Sequence, residues 1–108
     1  MSDIFELRAA VAKALSHPTR LRILDMLVPG EAVCVCDLVA RLEESQSSVS
    51  KHLAVLKEAG IVESRKEGLM VFYSLRTTCV RGFLTCLDQV LKADLEAKRI
   101  ELEGESNK

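Results

Sequence analysis

The sequence predicts a mainly α-helical domain with one small β-hairpin, in the order α-α-α-α-β-β-α, and three observations carry that prediction. Apolar residues recur at helical spacing in successive short runs up to residue 60 and again in one long run after residue 79. Between them, Ile61-Val62-Glu63-Ser64-Arg65 and Met70-Val71-Phe72-Tyr73-Ser74-Leu75 read as two strands joined by a short loop around Glu67-Gly68. Aromatic residues make up only 4% of the chain, with no Trp, against 48% apolar residues, so the core is aliphatic and suits packed helices with a small sheet.

The elements follow in order. Residues 4–15 form a short amphipathic helix with Ile4, Leu7, Val11 and Ala14-Leu15 on one side. Ser16-His17-Pro18 interrupts it, and Pro18 suits the first turn of a second helix from Thr19 to about Leu27, with Leu21, Ile23, Leu24 and Leu27 inward. Pro29-Gly30 stops that helix. A third starts near Cys36 and runs to Leu42, placing Leu38 and Leu42 one turn apart, and Glu43-Glu44 leads into a fourth. Ser45 is its N-cap, Val49, Leu53 and Leu56 form its apolar face, and Gly60 suits the left-handed position after its end. Thr77-Thr78 can cap a final helix from Cys79 to roughly Leu102. Its stripe of Val80, Phe83, Leu84, Leu87, Val90, Leu91 and Leu95 exceeds what so small a body can cover, which points to a homodimer interface that the first helix can join.

At 108 residues the chain is one domain, read as residues 1–102 with a frayed tail over 103–108. No apolar run approaches the ~18 residues of a membrane span, and the acidic, amphipathic N-terminus is no signal peptide, so the expected location is cytoplasmic. Thiols stay reduced there, which makes the four Cys candidates for metal or redox chemistry rather than structural disulfides. No Ser/His/Asp or Cys/His arrangement and no glycine-rich phosphate loop is evident, so an enzyme is not expected. The net charge of −1 is segregated: residues 45–76 carry a net +2 and residues 88–108 a net −2. A binder of DNA with so weak a segregation needs a dimer to gather enough phosphate contacts.

Residues 45–75 carry the function. Two short helices joined by a tight turn and followed by a hairpin form a winged helix-turn-helix pattern. The fourth helix offers Gln46, Ser47, Ser48, Ser50, Lys51 and His52 near its N-terminus, side chains that suit base edges in the major groove. Arg65 and Lys66, near the hairpin tip, suit phosphates. The expected partner is double-stranded operator DNA.

Cys34 and Cys36 lie directly before this DNA-reading unit, at the start of the third helix, where a helix N-terminus favours the thiolate. Thiolate pairs suit soft ions. Residues at i and i+2 of a helix do not face each other, so one ion held by both sulfurs is expected to unwind or bend that first turn. At these positions the chain resembles the ArsR/SmtB family of metalloregulatory repressors, and within it the arsenic-responsive branch. The resemblance rests on residues 15–24 (LSHPTRLRIL), Cys34-Val35-Cys36-Asp37-Leu38, Ser45 to Gly60 and Val71 to Leu75, and spans about residues 4–95. It implies a homodimer that binds an inverted-repeat operator and leaves it when As(III) or Sb(III) binds Cys34 and Cys36. Some members have a third Cys three residues after the second; here that position is Val39. Two protein thiolates plus a small-molecule thiol, or a Cys from elsewhere, would then complete the site. The alternative on the same fold is a redox- or persulfide-sensing repressor. An interaction module without DNA binding would lack Ser50, Lys51 and His52.

Cys79 and Cys86 lie about 10.5 Å apart along a helix, too far to share one ion; with Phe83 and Val90 they read most simply as small core residues, the alternative being a ligand or redox role across the dimer or with Cys34 or Cys36. No His follows residue 52, so the last-helix zinc or nickel site of other family members is absent. His17 reads as structural, Lys57 and Glu58 as a solvated face, and Asp37 as a possible cap of the third helix.

Overall fold

The structure is a computed structural model that describes residues 3–106, and of residues 101–106 the backbone alone. Its elements are α1 (Ile4–Leu15), α2 (Pro18–Met26), β1 (Val33–Cys34), α3 (Val35–Leu42), α4 (Gln46–Glu58), β2 (Val62–Glu67), β3 (Met70–Leu75) and α5 (Cys79–Ser106). Each helix of the body begins on a side chain that satisfies an otherwise unpaired N–H. Asp3 accepts from Glu6 at 2.8 Å, His17 Nδ1 from Thr19 at 3.1 Å, and Ser45 from Ser48 at 3.1 Å. Pro18 sits in the first turn of α2, where its missing N–H costs nothing.

The turn between α3 and α4 is closed by Glu43, whose φ of 56° is the sole left-handed non-glycine backbone among the described residues. Helix α4 ends as its sequence predicts. Gly60 adopts φ 81°, and the Ile61 N–H returns to Leu56 O at 3.0 Å, turning the chain into the sheet.

The three strands are antiparallel in the order β1-β3-β2. β2 and β3 pair from Val62↔Leu75 to Glu67↔Met70, leaving Gly68-Leu69 as a two-residue turn. The first strand thus begins one residue later and ends two residues later than the predicted Ile61–Arg65, because the pairing with β3 continues to the turn. β1 is not foreseen: it is two residues long, and Val33↔Tyr73 and Cys34↔Phe72 are its only pairings.

The core lies where α2, α3 and α4 meet the base of the sheet. Ile23, Leu24, Leu27, Leu38, Val49, Leu53 and Leu56 are fully buried, with Ile61, Val62, Leu75 and Val80 closing it. Leu21 is only half-buried. Arg81 joins α5 to the body by donating to Asp25 O at 2.9 Å, at the C-terminal end of α2. Beyond Val80 and the partly buried Leu84 and Leu87, α5 leaves its apolar side open: Phe83, Val90, Leu91 and Leu95 are exposed, as are Ile4, Phe5, Leu7 and Val11 of α1. Cys79 and Cys86 are exposed too, which corrects their reading as core residues. The helix extends to Ser106, past the expected end near Leu102, so part of the expected tail is helical and residues 107–108 lie outside the described ones. No described helix is long and apolar enough to cross a membrane.

Candidate DNA-binding face and thiol site

Helical periodicity divides the six polar residues at the start of α4 into two sets. Gln46 and Ser50, and Ser47 and Lys51, are i, i+4 pairs, and all four are exposed. Ser48 and His52 form a third such pair and turn towards α2. Ser48 donates to Glu44 Oε2 at 3.2 Å, and the His52 ring packs against His17, tilted by 40°, at 4.3 Å between centroids. The open face at the start of α4 is therefore Gln46, Ser47, Ser50 and Lys51, and Ser48 and His52 sit behind it.

Glu44 also accepts from Thr19 at 2.9 Å, so the α3–α4 turn, α2 and α4 are tied by one polar cluster. Arg20 faces the same cluster, donating to Ala14 O at 2.9 Å while its Nε is buried without a partner. Burial holds His52 below the ordinary 6.5, the neighbouring His17 and Arg20 push it the same way, and Glu44 opposes them. A histidine with a depressed folded-state pKa is protonated more readily when unfolded. It therefore costs no stability above pH 6.5 and removes stability as pH falls from 6.5 towards its folded value. Urea unfolding between neutral and mildly acidic pH is expected to show this loss, and His52→Gln to flatten it. An unchanged pH slope in the variant would place the titration elsewhere.

Arg65 and Lys66 are exposed on β2, beside the hairpin tip. Arg65 Nε pairs with Glu67 at 3.0 Å and its guanidinium lies over the Phe72 ring at 5.7 Å. An exposed pair of this kind is worth only ~0–1 kcal/mol, so a phosphate can replace Glu67 at little cost. The Arg65→Ala and Lys66→Ala proteins are each expected to bind all DNA sequences more weakly, with the slope of log K against log salt lowered by about one phosphate's share. Titrations at several salt concentrations check this; an unaltered slope would remove the hairpin from the phosphates. Lys57 is exposed, as the sequence suggests, and from that face it donates to Ser64 at 2.7 Å, linking α4 to β2.

The thiol pair departs from its expected geometry. Cys34 ends β1 and serves as the N-cap of α3, with φ −66° and ψ 140°; its sulfur accepts from the Cys36 N–H at 3.3 Å. Only Cys36 lies in the helical first turn. With Cys34 extended, the two Cα atoms stand 5.2 Å apart and the sulfurs meet and are bonded to one another. The helix start thus needs no unwinding for both sulfurs to reach one ion: the irregular backbone is already built by the β1–β3 pairing. It is also Cys34, not Asp37, that caps α3. Cys34 is 6% exposed while Cys36 is open to solvent.

Both cysteines line a cleft of about 410 Å³, whose other walls are Val35 and Val39 of α3, Gln46, Ser50 and Leu53 of α4, and Leu69, Met70, Val71 and Tyr73 of the hairpin. No group of three His, Cys, Asp or Glu side chains able to hold a metal ion occurs among the described residues. The cleft therefore places a two-sulfur site against the reading helix and the wing at once. The sequence singles out the cysteines and the start of α4 as candidates; it does not reveal Cys34 as a cap, the His17–His52 contact, or the cleft.

The recognition helix, the wing behind it and the thiol pair beside both define a winged helix-turn-helix transcription regulator. Residues 17–64 match the family described as "Bacterial regulatory protein, arsR family". The chain is 42% identical over 92 residues to the arsenical resistance operon repressor of Escherichia coli K12, covering 85% of this chain and 79% of that one. It is 44% identical over 78 residues to the transcriptional activator HlyU of Vibrio cholerae, covering 72% and 71%. The solution structure of a homodimeric winged helix-turn-helix DNA-binding domain from Mycobacterium bovis superposes with a TM-score of 0.74 at 29% identity, covering 90% of this chain and 93% of that one. This chain belongs to the ArsR family of transcription regulators.

Proposed function

We propose that this chain is a cytoplasmic repressor that binds an inverted-repeat operator as a homodimer and releases it when As(III) or Sb(III) binds Cys34 and Cys36. The observation that carries this reading is the shared cleft: the sulfurs, the exposed Gln46 and Ser50 of α4, and Leu69 to Val71 of the wing line one space. An ion that draws Cys36 and Cys34 into a new geometry acts on β1, which pairs with β3, and so on the wing. It acts equally on α3, which packs against α4. An ion bound better in the DNA-free arrangement shifts the population towards it. Likeness to the Escherichia coli arsenical resistance repressor supports the choice of metalloid. The exposed apolar residues of α1 and α5, and the homodimeric relative, support a two-fold dimer with two reading helices for two half-sites.

One observation favours a second reading. The Cα atoms of Cys34 and Cys36 stand 5.2 Å apart, within the reach of a disulfide, so the same pair suits a redox-sensing repressor. One experiment separates the two. Fluorescence anisotropy on a labelled duplex from upstream of the protein's own gene is expected to show release by arsenite with reductant present, and sedimentation to show a dimer on that duplex. Release by peroxide or polysulfide, with none by arsenite, would decide for the redox reading. A monomer that binds the duplex tightly would remove the dimer.

A further inference from the structure

The tip of the hairpin is the turn Gly68-Leu69, and half of it is apolar. Two-residue turns ordinarily carry Asn, Asp or Gly. Gly68 fits that rule, with φ 60°. Leu69 does not: its side chain is 99% exposed, and Met70 after it is 46% exposed. A lone exposed Leu is common on protein surfaces, so its setting decides what it means. Leu69 and Met70 line one cleft with Gln46 and Ser50, which places the tip on the same side of the molecule as the open face of α4. Arg65 and Lys66 stand exposed just behind it on β2. The turn itself carries no cation, and the acid beside it, Glu67, is held by Arg65 at 3.0 Å. Such a tip gains little from the strongly negative potential of a narrow A·T-rich minor groove, which draws Arg and Lys. A Leu side chain has a different use on DNA. It can wedge against a base step, where lost stacking is exchanged for apolar burial and a bent duplex.

From this placement we propose that Leu69 is a specificity-determining residue of the wing. With α4 in the major groove, the tip enters the neighbouring minor groove, and Leu69, followed by Met70, wedges against a flexible pyrimidine–purine step and bends the operator. Arg65 and Lys66 hold the flanking phosphates and fix the wing's register. The proposal rests on the operator-binding reading above and adds a sequence preference at positions that α4 does not touch. TA and CA steps unstack easily, whereas G·C-rich segments and unbroken runs of A resist, so the cost of seating the wedge depends on the step beneath it.

The test uses duplexes that share the half-sites for α4 and differ in the flanking segment alone, which carries TA steps, GC steps or an unbroken run of A. Anisotropy at several salt concentrations gives affinity, and energy transfer between dyes at the duplex ends gives the bend. The parent protein is expected to favour the TA duplex by about five-fold or more and to bend it by about 20° or more. Leu69→Ser removes a side chain that is almost wholly in solvent, so the fold stays intact. It is expected to lose both the preference and the bend, with the slope of log K against log salt unchanged because no charge is lost. Leu69→Arg is expected to move the preference to the run of A and to steepen that slope. Equal affinity of the parent protein for the three duplexes would overturn the proposal and leave operator binding standing. So would a preference and a bend that survive Leu69→Ser. Failure to bind any of the duplexes would overturn both.

Discussion

Cys36→Ser protein is expected to bind its operator as tightly as the parent and to keep only a small part of the response to arsenite. Cys36 is exposed in the first turn of α3 and buries nothing that Ser would leave empty. Cys34→Ser is expected to behave alike. Cys34 is buried as the helix N-cap, and the Ser hydroxyl accepts an N–H better than sulfur does, so α3 keeps its start. The response falls because two As–S bonds act together. Swinging a population from 1:99 to 99:1 takes a differential affinity of about 5.5 kcal/mol, and one As–S bond alone supplies too little of that to move it far. Anisotropy on labelled operator with rising arsenite, under reducing conditions, measures both properties for each variant. Full release in both variants, with silence from Cys79→Ser or Cys86→Ser, would move the site to α5.

The second large effect is on folding. Leu53→Ala is expected to cost about 2–5 kcal/mol, the range for a buried Leu truncated to a cavity. Leu53 is fully buried on α4 among Leu24, Leu38, Leu56 and the rest of the core, and one edge of its surroundings is the cleft. A domain of this size has only about 5–15 kcal/mol in total, so much of its stability is at stake. Urea unfolding is expected to show a lower midpoint with an unchanged slope. A loss below about 1 kcal/mol, the figure for a surface change, would mean that α4 does not pack as described.

Much of the fold is legible from local signals. Ser45 and Gly60 bracket α4 because capping and left-handed backbone are properties of single residues. Val49, Leu53 and Leu56 mark its buried face because the helical repeat is a property of spacing alone. The hairpin follows for the same reason, although its first strand is shifted towards the turn, ending two residues later, by the partner it pairs with. The stripe on α5 is also visible, but Cys79 and Cys86 within it are not core, since the body is too small to cover that helix.

What stayed hidden depends on residues far apart in the chain. Spacing sorts the start of α4 into faces, but only the packing of α2 says that His52 meets His17, 35 positions away. Lys57 and Ser64, or Arg81 and Asp25, are ordinary polar residues until two elements bring them together. The thiol pair shows both halves of the matter. Two cysteines one residue apart, ahead of a DNA-reading helix, are set by sequence, and so is the absence of a third at Val39. That they converge is decided by β1. Two residues are too few to signal a strand by themselves, and Val33 and Cys34 are extended because β3 offers Tyr73 and Phe72 as partners. That long-range pairing takes Cys34 out of the helix, turns its sulfur to Cys36, and opens the cleft between them and the wing.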